Sequence, residues 1–307
     1  MRTGLGALLW FCSILPAMAG QVLRVGPEEK IRTVAEAARK ARDGDIVEIV
    51  ARDYRADVAV WTQDGITVRG VGGRARLIAD GASAEQKAIW VVRGGAMTVE
   101  NIEFNGARVP HQNGAGIRFE KGHLVVRNCV FVDNEMSLLT SNDKDSELEI
   151  EDSEFGQAAP VERWSHNLYV GSIRKLTVRG SYFHHGWRGH LLKSRATENH
   201  IIGNRLIDGE GGRASYELEF PNGGIAHVSG NTIRQSATTE NPVMVSFGAE
   251  GYTWPRNELH LIGNTLIDDR KPPGTFLRVW PGADQVETSG NRLVGDRSLF
   301  GATQGHE

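Results

Sequence analysis

A six-residue pattern recurs eight times in this chain: an aliphatic residue, any residue, Gly/Asn/Asp, a mostly small polar residue, any residue, then Phe, Leu or Ile. It reads VENIEF at 99–104, VRNCVF at 126–131, IEDSEF at 150–155, VRGSYF at 178–183, IIGNRL at 201–206, VSGNTI at 228–233, LIGNTL at 261–266 and TSGNRL at 288–293. The copies start about 27 residues apart, a period typical of solenoids. One copy is too short to bury a core of its own. Its apolar residues alternate, β-branched residues are common, and Gly, Asn or Asp stands where the chain must bend. Stacking the coils about 4.8 Å apart solves the burial problem, because each strand bonds to its equivalents above and below and the inward side chains form one continuous column. The pattern therefore predicts an all-β chain, a single-stranded parallel β-helix. Asn204, Asn231, Asn264 and Asn291 share one repeat position, and an Asn ladder at a tight turn, in left-handed backbone geometry, is expected there.

The N-terminal part fits this picture. Residues 27–42 (PEEKIRTVAEAARKAR) place Ile31, Val34, Ala35 and Ala38 on one helical face, with Pro27 in the first turn and Gly44 near the stop. Short strands are expected at 45–50, 66–70 and 75–79. A helix covering the open end of the column is expected too, since that end exposes strand edges. The run IRTVAEAARKARDGDIVEIVARDY followed by ITVRGVGG resembles the opening of right-handed parallel β-helix proteins of the pectate-lyase-like superfamily, in which a capping helix precedes a Gly-Asp turn and the first coils. The resemblance implies a right-handed helix over nearly all of residues 20–307.

Residues 1–19 read as a secretory leader: Arg2, an apolar stretch from Leu5 to Leu15, Pro16, and Ala17-Met18-Ala19 as a small-residue cleavage site. Export to the periplasm or the extracellular space is expected. No later segment is apolar over the length of a membrane span. Cys12 falls within the leader and leaves Cys129 alone, so stability has to come from packing rather than a disulfide. The formal charge of −3 lacks the basic excess of a nucleic-acid binder, and no HExxH or CxxC signature is present.

Candidate chemistry concentrates in the middle of the chain, where five of the ten His lie between 166 and 200. The segments HNLYVG (166–171), GHLLKSRA (189–196) and SYELEFPNGG (215–224) each precede a repeat and should stack as neighbouring turns. Placing Leu168, Leu192 and Leu218 inward points Tyr169, Lys193 and Glu219 outward on one line, with Asn167, Leu191 and Glu217 on the other side. A one-residue slip would reverse every side chain. A groove along such a face suits an extended acidic polysaccharide, with Arg188, Arg195, Trp187 and Trp164 supplying charge and stacking surface.

Three activities are compatible with these residues. In β-elimination on a uronate glycan, Lys193 is the expected base, Tyr169 or Tyr216 the proton donor, and Arg195, His190 and Asn167 neutralise the carboxylate, with His166, Glu217, Glu219 and Trp187 lining the site. The segment LLKSRATENHIIGN is similar to the Lys-Ser and Asn-bearing turns of chondroitinase B and related alginate lyases, a resemblance that implies Lys193 as the base. In hydrolysis or uronate epimerisation, Glu217 and Glu219 act as a carboxylate pair about 7 Å apart. In a non-catalytic carbohydrate-binding or scaffold protein, Lys193 is one glycan contact among many, or half of a surface salt bridge with Glu219. Asp208 and Glu210, with Glu217 or Glu219, are the residues that would hold Ca2+, although no ligand loop of recognisable spacing is present. A monomer is the expected state.

Overall fold

A computed structural model describes residues 20–239, 241–271 and 274–300; the expected leader at 1–19 lies outside them. Among the described residues, thirty strands and one helix are present. All strand pairs are parallel, in three sheets of eleven, ten and nine strands, here called A, B and C. Each coil contributes one strand to each sheet in turn, so the chain is the parallel β-helix that the repeat implied.

The six-residue pattern marks the corner between sheets A and B. Its first residue is the last but one of a strand of sheet A and points inward, as along Val99, Val126, Ile150, Val178, Ile201 and Val228. Its last residue opens the inner face of sheet B, where Phe104, Phe131, Phe155 and Phe183 stack with ring centroids 4.9, 4.7 and 4.7 Å apart and planes within 10°. Sheet C adds Trp90, Ile117, Leu138, Leu168, Leu192, Leu218 and Val245, all fully buried. Outer faces are polar where solvent reaches them. In sheet A, Arg127 lies between Glu100 and Glu151, 3.5 and 2.7 Å from them, as opposite charges on neighbouring strands favour.

The Asn ladder forms, but the bend is made one residue earlier than expected. The third position of every copy takes positive φ: Asn101, Asn128, Asp152, Gly180, Gly203, Gly230, Gly263 and Gly290 lie between 48° and 65°. That residue needs the left-handed conformation, which Gly and Asn tolerate. It thereby turns the fourth residue inward, where its side chain caps the preceding coil. Asn204 N–H donates to Asn231 Oδ1 at 2.8 Å, Asn231 N–H to Asn264 Oδ1 at 2.9 Å, and Asn264 N–H to Asn291 Oδ1 at 2.9 Å. Ser153 and Ser181 play the same part in the earlier coils.

The helix is shorter than the predicted 27–42 and spans Val34–Lys40. Thr33 is its N-cap and accepts from Glu36 N–H at 3.1 Å. Ile31 bridges to Val25 instead of entering the helix, and residues 27–30 are turn and bend. The helix buries Val34, Ala37 and Ala38 against the first strands of sheets A and C. Strands Ile46–Val50, Ile66–Val71 and Ala75–Ile78 fall where expected.

Phe155 sits between two ring neighbours and is fully buried. Phe155→Ala should destabilise the chain by about 3–5 kcal/mol, read as a lowered midpoint in urea unfolding followed by circular dichroism. A loss below about 1 kcal/mol would show that the ring column is not a packed core.

Candidate functional site

The outer face of sheet C carries the candidate site, and the connections at 157–167, 184–191 and 208–217 lead into its strands there. Leu168, Leu192 and Leu218 stack inward in register, and Tyr169, Lys193 and Glu219 follow them on consecutive rungs of the outer face, as inward placement of the three leucines required. On the next rungs stand Leu139 and Arg118 to one side and Ser246 to the other.

Lys193 is only 8% exposed. It is covered by Glu250, from the turn after strand Val243–Phe247, which reaches back over two rungs. The Lys193 ammonium lies 2.9 Å from Glu219 Oε2 and 2.8 Å from Glu250 Oε1, so it is ion-paired to two carboxylates at once. His190 Nε2 lies 2.8 Å from the same Glu219 oxygen. Burial works to raise the Glu219 carboxyl, but the contacts with His190 and Lys193 outweigh it and hold the group below the usual carboxylate range. Glu250 also contacts Arg195 at 2.7 Å. Arg195 Nε donates to Tyr169 Oη at 3.0 Å, and its guanidinium further bonds Asn222.

Two histidines complete the cluster. His190 N–H donates to His166 Nδ1 at 2.9 Å, which leaves the ring proton of neutral His166 on Nε2. Burial, with the charges of His190, Lys193 and Arg195 adding to it, pushes His166 well below the ordinary imidazole range, so it is neutral near pH 7. Its ring centroid is 5.3 Å from that of Tyr169 and 4.7 Å from that of His190. Tyr216 packs edge-on against His190 at 5.0 Å, behind the cluster.

His166 and Tyr169 open into a cleft of about 790 Å³, also lined by Arg118, Leu139, Arg163 and Trp164. Tyr169 is shared with a second hollow bounded by Lys144, Arg195, Asn222 and Trp254, and Trp164 with a third bounded by Arg188 and Ser215. Adjoining through these two shared residues, the three hollows make up the groove on this side of the molecule. Arg118 is half-buried in its wall, and its Nε has no hydrogen-bond partner.

Several expected members lie elsewhere. Asn167 and Glu217 were expected on the outer flank, yet both are fully buried. At this corner the chain enters sheet C while still turning, so two successive residues face the interior. Asn167 Nδ2 donates to the carbonyls of Phe155 and His184 at 3.1 and 2.9 Å, tying sheet B to sheet C. Neither Glu217 oxygen has a hydrogen-bond partner, and burial with the nearby Asp208 pushes its carboxyl well above the usual range. Glu217 and Glu219 therefore face opposite sides of the sheet and do not form the carboxylate pair. Asp208 accepts from Gly186 N–H at 2.8 Å and Ala214 N–H at 3.0 Å, a loop-organising role, and burial raises it to about 6. Asp208 and Glu217 are interior while Glu219 is outside and Glu210 is exposed, so these four carboxylates do not converge as a Ca2+ site. Trp187 braces the loop, its Nε1 donating to Val161 O at 3.0 Å, whereas Trp164 projects into the groove at 67% exposure.

No family model and no curated protein sequence matches the chain. Among solved structures it is similar to ORF18 of Geobacillus virus E2, with 11% identity and a TM-score of 0.50 over 84% of this chain. This chain spans 55% of that one. The likeness shows a shared fold. Lower-scoring similarities include a pectin methylesterase from Aspergillus niger (12% identity, 92% of this chain and 90% of that one, TM-score 0.40). Another is the A-module of a mannuronan C-5 epimerase from Azotobacter vinelandii (15%, 86% and 94%, TM-score 0.30).

The interior acids make stability depend on pH. Both are raised in the folded state, so the folded chain holds more protons than the unfolded one between the two values. For Asp208 the stabilisation is full below about pH 3.8 and is lost as pH rises to about 6; Glu217 extends the loss to higher pH. Glu217→Gln should therefore change stability little at pH 5 and raise it by about 1–3 kcal/mol at pH 8. Urea titrations at the two pH values read this directly, and equal effects at both would mean that Glu217 is not a proton-holding interior acid.

Proposed function

We propose that this chain is a carbohydrate-active β-helix protein that binds an acidic polysaccharide along the groove of sheet C and cleaves it by β-elimination. The observation that carries the reading is one cleft lined by a half-buried arginine (Arg118), a phenol braced by a second guanidinium (Tyr169 with Arg195) and a neutral imidazole N–H donor (His166). Elimination from a uronate needs charge on the sugar carboxylate, a base at C5 and a proton for the departing oxygen. Arg118 and His166 fit the first need, since charge-assisted donors in a partly dry wall bind a carboxylate strongly.

The base is assigned to Tyr169 rather than Lys193. Lys193 lies under Glu250 with its ammonium shared between two carboxylates, whereas Tyr169 opens to the cleft. Arg195 offsets negative charge on the phenol oxygen once its proton has left. In the step proposed, Tyr169 acts as the phenolate, its own proton having first passed to solvent: Oη takes the C5 proton, the C5–H electron pair becomes the C4=C5 double bond, and the C4–O bond breaks. The phenol so formed returns that proton to the departing oxygen. Lys193, Glu219 and Glu250 act through Arg195 and His190 as positioning residues. Trp164 offers the exposed aromatic face on which a sugar ring stacks. A polymeric substrate is met outside the cell membrane, in keeping with the leader-like residues 1–19.

Incubation with polymannuronate, polyguluronate, polygalacturonate and chondroitin should yield ultraviolet-absorbing unsaturated ends from at least one polymer. Reducing ends without that absorbance would replace elimination by hydrolysis, and binding without turnover would leave a carbohydrate-binding scaffold. Tyr169→Phe should lower kcat by about 10²–10⁴-fold with KM little changed. Arg118→Gln should act mainly on KM, raising it roughly tenfold or more, as loss of a charged contact to substrate does. If Tyr169→Phe retained full activity while Lys193→Ala abolished it with Arg195 and Tyr169 still in place, the roles assigned here would be reversed.

A further inference from the structure

The ion pairs of Glu250 are unevenly buried. Its side chain is 44% exposed, yet the two cations that hold it, Lys193 and Arg195, keep only 10% and 18% exposure. Its carboxylate is split between them, Oε1 lying 2.8 Å from the Lys193 ammonium and Oε2 lying 2.7 Å from the Arg195 guanidinium. Burial works to raise the Glu250 carboxyl, but hydrogen bonds from Lys193 and Arg195 outweigh it and hold the group below the usual carboxylate range. Glu219, buried, is the second counter-ion of Lys193 at 2.9 Å. The cations are thus built into the wall of the groove, with one carboxylate buried beside them and one resting on them from the solvent side.

The turn that carries Glu250 is anchored by its backbone, Glu250 N–H donating to Pro221 O at 2.9 Å and Gly251 N–H to Gly248 O at 3.1 Å. Only the side chain has to rotate for the carboxylate to leave. Its departure uncovers two cations next to open space, since Arg195 lines a hollow of about 430 Å³ with Lys144, Tyr169, Asn222 and Trp254. Lys193 and Arg195 left with Glu219 alone carry an excess positive charge, which is costly away from water. Another carboxylate has to take the place of Glu250. We propose that Lys193 and Arg195 form a binding site for the carboxylate of one uronate of the polysaccharide, and that Glu250 is its internal occupant in the free chain, displaced when the glycan enters. This site rests on the acidic-polysaccharide reading above and is separate from Arg118 and His166. Arg195 Nε donates to Tyr169 Oη at 3.0 Å, so a sugar held there lies beside the phenol. The internal carboxylate competes with the substrate and lowers its apparent affinity by the fraction of chains in which the site is free. It also selects, because a neutral sugar cannot replace the charge of Glu250.

The test uses the full chain with short galacturonate, guluronate and mannuronate oligomers as probes. Binding is read by calorimetry at low salt in the cold, and unsaturated ends are read separately by ultraviolet absorbance. Glu250→Gln should tighten binding of at least one acidic oligomer by about fivefold or more, since the internal competitor is gone, and leave uncharged glucose oligomers unaffected. Adding Lys193→Met should abolish the gain. Glu162→Gln, which removes a charge from the wall of the first cleft instead, should give about twofold or less, the general effect of charge on the groove. An unaltered or weaker isotherm in Glu250→Gln, or no binding of any acidic oligomer to it, overturns the proposal. So does an equal gain in Glu162→Gln, a gain shared by the uncharged oligomers, or one that survives Lys193→Met. Should Glu250→Gln fail to fold, Glu250→Asp, whose shorter side chain reaches the cations less well, is read by the same criteria. Failure of the site and failure of elimination are distinguishable. A gain without unsaturated ends keeps the carboxylate site and removes elimination, whereas unsaturated ends without a gain keep elimination and remove the site.

Discussion

Every feature of this protein depends on coils lying directly over one another at the spacing of a parallel ladder. A lone coil cannot bury its apolar side chains or pair its backbone groups; stacked, it does both at once. The ladder explains why like residues meet like residues. Phe stacks on Phe in sheet B, Asn caps Asn at the corner, and His follows His on sheet A. It also explains the strictness of the third repeat position, since only a left-handed residue there aims its successor inward.

The same rule creates the candidate site. Rungs one ladder step apart turn positions some two dozen residues apart in the chain into touching neighbours, so Tyr169, Lys193 and Glu219 need no special loop to be brought together. What distinguishes them is cover. Elsewhere the outer rungs are solvated and their charge pairs contribute little. On sheet C the connecting loops wall the face, and an ion-paired network forms in which Glu219, Lys193 and Arg195 are largely removed from water while Glu250 stays exposed over them. Such a network is costly to bury and strongly directional, and it holds Tyr169 and His166 at one edge of the cleft.

Much of this was legible in residue order. The repeat foretold the fold, the Asn ladder and the register of three site strands, because an in-register solenoid converts sequence spacing into spatial adjacency. The residues that were not legible share a physical cause. Glu250, Asn222 and Trp254 come from turns whose reach over neighbouring coils follows no period. Asn167 and Glu217 were misplaced because strict alternation fails where the chain is still rounding a corner, and two successive side chains then face inward. The helix began late because the Thr33 cap and the Ile31 bridge to Val25 won over amphipathic pattern.

Residue order alone thus determined the winding of the chain, the inward columns and the identity of the corner residues. These follow from local backbone preference and from burial, both written into a short periodic motif. Only the tertiary structure decided which outward residues are dry, which charges are partnered, and that Lys193 lies beneath Glu250 while Tyr169 faces the cleft. Those outcomes depend on where aperiodic loops come to rest, and exclusion of water by a distant segment leaves no mark on the sequence of the residue it covers.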